Sequence, residues 1–474
     1  MRTGTDAALV AIALMSVLSG CASVQRDARF PEVRDAVGQR VEQNVSWNQN
    51  SEQDRRAQQA VQRLLKQELT PDTAVQIALL NNRNLQATYE NIGVAQADLV
   101  EAGLLDNPVF SISVYSGDPG TIIEASIVQD FVSLFSLSAR KKIGEAAARR
   151  ATLEVSNKVV DLARQVEGQY YTVVGDAQAL ELAQQVVVAT EAAAQLAERQ
   201  RAAGNLNRRD QSVQQAFYAQ TMLEVAQAEA QLTSDRERLN RLMGVWAQDT
   251  GWTIPGRLPA LPVALPALDQ LEARAVAERL DLAAAKADAE AATRALDLAT
   301  QFRYLGPLGI GVAYKREPGG GAFIGPTVEL GLPLFNQHQA GIARAAAESR
   351  RSQEHVAALA IEIRSESREA SARLAATYAM VQHYQKVMLP LQQSIVSETL
   401  KFYNGMLVGV YDLLLARQAQ VQTARQYVSA SKDFWLAWTD LERAIGGKIP
   451  LPAATVEEAP DAPDPSHQHG DKQP

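Results

Sequence analysis

Pro108-Val109-Phe110-Ser111-Ile112-Ser113-Val114-Tyr115-Ser116 is the stretch on which the fold turns. Phe110, Ile112 and Val114 alternate with Ser111, Ser113 and Tyr115, the two-residue period of a strand with one apolar and one polar face. Three more runs read the same way. In 121–130, Ile123, Ala125 and Ile127 alternate with Glu124, Ser126 and Asp130. In 308–315, Leu308, Ile310, Val312 and Tyr314 alternate with Gly309, Gly311, Ala313 and Lys315. In 324–332, Ile324, Val328 and Leu330 alternate with Gly325, Thr327, Glu329 and Gly331, and Pro326 interrupts the run, which weakens the strand reading. Gly319-Gly320-Gly321 reads as a strand-to-strand turn, since no helix start of the phosphate-loop kind follows it.

Each run is close to the roughly 9–11 residues of a tilted membrane strand. An apolar side opposite a polar or small side fits a wall between lipid and water. Four amphipathic strands on a soluble core would alternate in the same way. Closed outer-membrane barrels begin at about eight strands, and open edges are not tolerated in lipid. A barrel therefore has to pool strands between copies of the chain. Two copies give eight strands and three give twelve, and periodicity does not choose between them.

Working outward, the strand pairs belong to a repeat. Val128-Gln129-Asp130-Phe131 leads to Leu134-Phe135 and a basic helix start at Arg140-Lys141-Lys142; Val328-Glu329-Leu330-Gly331 leads to Leu334-Phe335 and a helix carrying Arg344, an offset of 200 residues. Pro108 and Pro307 each open a strand run, and Gly204 and Gly405 each break a long helix. The unit is helix, two strands and a long helical hairpin, used twice. No proline lies between Pro119 and Pro255, and only Pro390 lies between Pro333 and Pro450. Proline costs about 3 kcal/mol inside a helix, so both stretches are free to be helical, with a kink near Pro390. Leu162, Val166, Tyr170, Val173, Ala177 and Leu180 form one coiled-coil-like stripe. A helix from about Arg140 to Ala203 would extend ~90 Å, and the second half repeats it from about Gln339 to Tyr403. A solvent-exposed coiled-coil rod would carry the same helices, so they do not decide function. The expected organisation is 1–20 signal peptide, 21–68 anchor and extended segment, 69–253 first repeat, 254–267 proline-rich linker, 268–447 second repeat and 448–474 disordered tail. The fold class is mainly α with a small membrane β-barrel portion.

The first residues read as a targeting segment: Arg2, then an apolar run from Ala7 to Leu18, too short to span a bilayer. It ends in Leu18-Ser19-Gly20-Cys21, which resembles a lipobox, the site of bacterial lipoprotein acylation; the other reading is an ordinary signal peptide with a chance cysteine. Cys21 is the single cysteine of the 474-residue chain, so an acylated Cys21 leaves no thiol for a disulfide, a metal or a nucleophile. Ala22, where an aspartate would retain the protein at the inner membrane, favours the outer membrane by resemblance to sorting rules. The net charge of −8 argues against nucleic acid as a partner. No later segment reaches ~18 uninterrupted apolar residues, so no transmembrane helix is expected.

The whole pattern resembles the TolC family of outer-membrane efflux proteins over about 69–447. The repeat carries the resemblance, with Leu332-Pro333-Leu334-Phe335-Asn336 after the fourth strand and Asn404-Gly405 followed by Asp412-Leu413-Leu414 after the second helix break. It implies a homotrimer sharing a twelve-stranded barrel in outer-membrane lipid, and a helical tunnel in the periplasm whose closed tip meets an adaptor protein and an inner-membrane pump. It implies no cofactor beyond the covalent lipid on Cys21, and no catalysis; no metal-protease pair, phosphate loop or nucleophile setting is found. Leu334-Phe335-Asn336-Gln337-His338-Gln339 and the tail Ser466-His467-Gln468-His469 look most like the heavy-metal export branch. His467 and His469 are a weak metal-binding candidate beside a solvated-tail reading. His338, His355 and His383 are scattered.

A passive conduit needs a water-filled path and a way to keep it shut. In the family, acidic residues after the second break form rings at the tip, and here Asp412 matches; three residues on stands Leu415, where relatives often have an acid. The gate candidates are Asp412, an apolar collar from Leu415, and Asp210, which could equally cap the helix after the first break. Arg201, Gly204, Asn205, Leu206, Asn207, Gly405, Met406, Leu407 and Val408 are the adaptor-contact candidates, or ordinary turn residues. Two other functions keep part of this architecture: a protein-secretion channel, and a structural lipoprotein without a lumen.

Overall fold

In a computed structural model, residues 24–118, 120–266 and 270–449 are described. Cys21, the signal segment, His467 and His469 lie outside them, as does the tail beyond Ile449. The chain divides into two units. One holds 1–36, 87–158 and 280–362; the other holds 37–86, 159–279 and 363–474.

The first unit contains the four strands, β1 (Val109–Gly117), β2 (Gly120–Asp130), β3 (Leu308–Arg316) and β4 (Ala322–Leu330). They form one antiparallel sheet in the order β1-β2-β3-β4, so the two repeats meet at β2–β3 and both outer edges are open. Facing residues in this register share a side. Phe110, Ile127, Val312 and Pro326 make one row, and Ile112, Ala125, Tyr314 and Ile324 the next. On the other side, Ser111, Ser126, Ala313 and Gly325 line up, followed by Ser113, Glu124, Lys315 and Phe323. The Ser111 and Ser126 hydroxyls pair at 2.8 Å, and Lys315 Nζ lies 3.4 Å from Glu124. Apolar exceptions on this side, Val109, Tyr115, Ile122, Val128 and Phe323, fall toward the strand ends. Pro326 does not interrupt β4: as an edge strand, it directs part of its N–H groups away from any partner, where a missing donor costs little. The triple glycine closes β3 onto β4, with Gly319 at φ +108° and Gly320 at +101°, and Glu317 N–H bonded to Gly321 O at 3.0 Å.

Among the described residues the helices are α1 (Phe30–Val41), α2 (Glu52–Leu64), α3 (Pro71–Asn81), α4 (Arg83–Ala102), α5 (Val132–Ala202), α6 (Arg208–Met243), α7 (Leu271–Glu278), α8 (Leu280–Gln301), α9 (Gln339–His383), α10 (Leu389–Asn404) and α11 (Val410–Ile445). α5 runs for 71 residues and starts eight residues before Arg140. The Asp130 carboxylate accepts the Val132 N–H at 2.9 Å, so the helix begins directly at the strand end. Its counterpart is not a plain kinked helix. Between α9 and α10, Tyr384–Met388 form a widened π-turn in which Leu389 N–H bonds Tyr384 O. Pro390 follows; a proline lacks one donor and crowds the preceding turn, and the wider turn relieves both.

The segment 21–68, read as extended, contains α1 and α2 among its described residues. Val33, Val37 and Val41 of α1 are buried at a four-residue spacing. The Asp54 carboxylate accepts the Ser51 N–H at 2.6 Å and caps α2. In the second unit, Tyr171 stacks on Trp435 with ring centroids 5.1 Å apart, and Phe434, Trp438 and Tyr378 complete an aromatic core. The stretch 254–266 has no regular structure but is tied down: Trp435 Nε1 donates to Pro259 O at 3.1 Å and Tyr378 Oη to Val263 O at 2.7 Å. Lys448 and Ile449, placed in the tail by the sequence, are held. Ile449 is buried, and Arg274 donates to Lys448 O at 2.9 Å.

Candidate functional site

Two helix breaks were expected to form the tip, and the backbone builds them alike. At the first, Asn205 N–H reaches back to Gln200 O at 2.8 Å and Gly204 N–H to Arg201 O at 3.0 Å. At the second, Leu407 N–H reaches Phe402 O and Met406 N–H reaches Tyr403 O, both at 2.9 Å. Closing a helix this way puts one residue in the left-handed region. In the first break it is Gly204, at φ +77°. In the second it is Met406, at +60°, whereas Gly405 sits at −81°. Gly405 is thus not the strained position: the left-handed residue falls one place later.

This alignment fixes the acids. α6 and α11 are each 36 residues long. Asp210 and Asp412 are both the third residue of their helix. Asn207 accepts Asp210 N–H at 2.9 Å and donates from Nδ2 to its carboxylate at 2.6 Å. The Asp412 carboxylate accepts Gly409 N–H at 2.9 Å. The Asp412 carboxylate therefore caps α11 directly, whereas the cap of α6 is Asn207 and the Asp210 carboxylate only braces the Asn207 side chain. Asp412 is exposed and Asp210 half-buried. Leu415, one turn on, is 65% exposed. Of the contact candidates, Met406 is 93% and Leu407 73% exposed, while Gly204, Asn205, Gly405, Arg201 and Asn207 are exposed and Leu206 and Val408 half-buried. Met406 and Leu407 thus place two large apolar side chains in water at adjacent turn positions.

Sequence reading missed Tyr411. Its hydroxyl donates to Gln200 Oε1 at 2.8 Å, joining the start of α11 to the end of α5. Burial and then the Asp210 charge hold the Tyr411 phenol above its ordinary value. An aromatic residue directly before Asp412, the only one between Asn404 and Asp412, was the available signal. Further along, Arg425 of α11 donates to Glu224 of α6 at 2.9 Å.

Comparison with known proteins bears on this arrangement. Residues 74–245 match the family described as "Outer membrane efflux protein". The chain is 25% identical over 383 residues, 80% of its length and 90% of the relative's, to the cobalt-zinc-cadmium resistance protein CzcC of Cupriavidus metallidurans. It superimposes on the outer-membrane channel OprN with a TM-score of 0.68 and 17% identity, covering 82% of this chain and 92% of that one. It superimposes on the Campylobacter jejuni CmeC outer-membrane channel with a TM-score of 0.68 and 12% identity, covering 80% and 85%.

Proposed function

We propose that this chain is an outer-membrane efflux protein of the TolC family and serves as the passive outer-membrane channel of a tripartite export system for metal cations. The observation that carries the channel is the two-sided sheet. Its apolar rows suit lipid, its serine, glycine and charge-paired rows suit water, and its two open edges call for further copies. The likeness to a cobalt-zinc-cadmium resistance protein supports metal cations as cargo. A homotrimer anchored by lipid on Cys21 would close the sheet into a twelve-stranded barrel. A periplasmic adaptor would meet Met406, Leu407, Asn205 and Leu206, and an inner-membrane pump would supply the energy.

In this reading the conduit performs no bond chemistry. Asp412, repeated around the axis, attracts cations and repels its copies; Leu415 narrows the path below it. The Tyr411–Gln200 bond holds the second hairpin against the first while the tip is shut. Growth of a deletion strain on graded zinc, cobalt, cadmium, copper and silver salts, beside dyes, detergents and antibiotics, tests the cargo. Sensitivity confined to metals is expected. Sensitivity confined to organic compounds would contradict it.

A further inference from the structure

One face of α5 is exposed from its first turn onward, through Leu134, Phe135, Ser138, Lys141, Lys142 and Glu145. Steps of one, three and four residues keep these side chains on one side of the helix. Their chemistry changes with distance from the sheet. The first turn is apolar, with Phe135 63% exposed, and the third is cationic. Apolar exposure does not stop at the strand ends elsewhere either. Past β4, Leu332, Leu334 and Phe335 stay exposed, Phe335 at 93%, and so does Tyr304 between α8 and β3. An apolar band that gives way to cations within two helical turns suits a wall where lipid tails give way to headgroups.

The cations of the band are not all alike. Arg140 is held inside the fold: its Nη2 donates to Leu104 O at 3.3 Å and to Ser133 O at 3.2 Å, and its Nη1 lies 3.9 Å from the Asp106 carboxylate. Lys141 and Lys142 are exposed, and neither ammonium is paired with a carboxylate among the described residues. Glu145, the acid on the same face, lies a turn farther from the sheet. The second repeat has Gly341 and Ile342 at the matching positions and supplies its cation from another element. Arg303, in the turn between α8 and β3, lies over the Tyr304 ring, 4.5 Å from its centroid. It too has no carboxylate partner among the described residues. His338 Nδ1 lies 3.3 Å from Arg303 O, which ties the segment after β4 to the same turn. Each repeat thus places uncompensated positive charge just beyond its strands.

The depth agrees with the chemistry. Leu134 to Lys141, and Phe135 to Lys142, are seven-residue steps, about 10 Å along a helix. The headgroup layer of one leaflet is roughly 5–8 Å deep. Helix side chains lean toward the N-terminus, which in α5 is the sheet end. The lysine stems therefore run back toward the apolar turn and bring their ammonium groups to the level of the lipid phosphates. We propose that Lys141 and Lys142 in the first repeat, and Arg303 in the second, hold the headgroup phosphates of anionic phospholipids in the periplasmic leaflet. The lysines act as point charges and the arginine through its guanidinium fork. The acyl chains lie along Phe135, Leu334, Phe335 and the apolar rows of the sheet. The inference rests on the channel reading, in which those rows face lipid, and adds which lipid the wall selects and where it is held.

The test is native mass spectrometry of the purified, full-length protein in detergent with equal amounts of dioleoylphosphatidylglycerol and dioleoylphosphatidylcholine. Both lipids carry a phosphate, but only the first has a net negative charge. The wild type should retain phosphatidylglycerol in excess. Lys141→Gln combined with Lys142→Gln should cut that preference on the order of tenfold, and Arg303→Gln should cut it further. Lys141→Arg with Lys142→Arg should keep it, and Arg209→Gln, which removes a charge near the first helix break, should leave it unchanged. Equal retention of the two lipids by the wild type, or an unchanged preference in the double glutamine variant, would overturn the headgroup site. Displacement of phosphatidylglycerol by excess inorganic phosphate would also overturn it, by making this a site for the free ion. Flotation with vesicles of phosphatidylcholine alone separates these failures from that of the barrel. A protein that floats with them keeps its lipid-facing wall whatever the headgroup result, whereas one that stays out of them loses the channel reading and the headgroup site together.

Discussion

Gly244 shows how much one residue can carry. It ends α6 at φ +71°, and a Cβ there would lie 2.8 Å from Asn81 O. The Asn81 side chain donates to Gly244 O at 2.7 Å, and Asn82 Nδ2 to Leu242 O at 2.8 Å, satisfying the last carbonyls of the helix. Gly244→Ala combines left-handed strain with a backbone clash and should cost about 1–3 kcal/mol, read as a lowered melting temperature. Tyr411→Phe removes one hydroxyl and should leave folding intact. It should raise spontaneous opening in bilayers, and an unchanged opening rate would take Tyr411 out of the closure. At this scale the sequence was partly legible. Gly204 and Gly405 announced the breaks, because glycine and a change of helical phase coincide there. That Met406 would hold the left-handed position was not legible, since methionine has no preference for it. Tyr411 was hidden because its partner, Gln200, is 211 residues away in sequence.

Among the elements, the seam between β2 and β3 is closely packed. A Cβ on Gly311 would lie 2.0 Å from Ile127 O, so no side chain fits without parting the strands. Gly311→Val should abolish the assembled oligomer, seen as loss of a heat-resistant band on gels, while helical circular dichroism largely persists. In the helical unit, Arg164 donates to Glu442, to Glu167 at 2.8 Å and to Arg40 O at 3.1 Å. Arg164→Met would strand a buried carboxylate and should cost roughly 3–5 kcal/mol in chemical denaturation. Burial pushes Glu442 up to about 7, against the Arg164 charge. A carboxyl raised on folding contributes stability below its ordinary value and loses it as pH climbs through the raised one. Stability should therefore fall between about pH 5 and 8, and Glu442→Gln should flatten that slope. The strands were legible because their alternation holds through the middle of each run and glycines mark the turn between β3 and β4. α2 was not: Ala57, Ala60, Val61 and Leu64 recur at three- and four-residue steps, but the stripe is short and made mostly of small residues, so it did not stand out from its polar surroundings. The π-turn was half legible: Pro390 located the disturbance, but the choice between a kink and a widened turn depends on packing against α11.

For the molecule as a whole, the repeat is the organising fact. α6 and α11 have the same length, both end in a left-handed glycine, and the strand pairs join the repeats in one sheet. The apolar rows leave Ile112, Ile324 and Val328 at 61%, 75% and 64% exposure in a single chain. Such a surface, with two unpaired edges, is not a finished structure in water or in lipid. The number of copies was never legible from periodicity, because eight and twelve strands both close. The most direct measurement is the light-scattering mass of the purified protein in detergent. Three chains per particle are predicted. A monomeric particle would contradict the shared barrel and, with it, the channel.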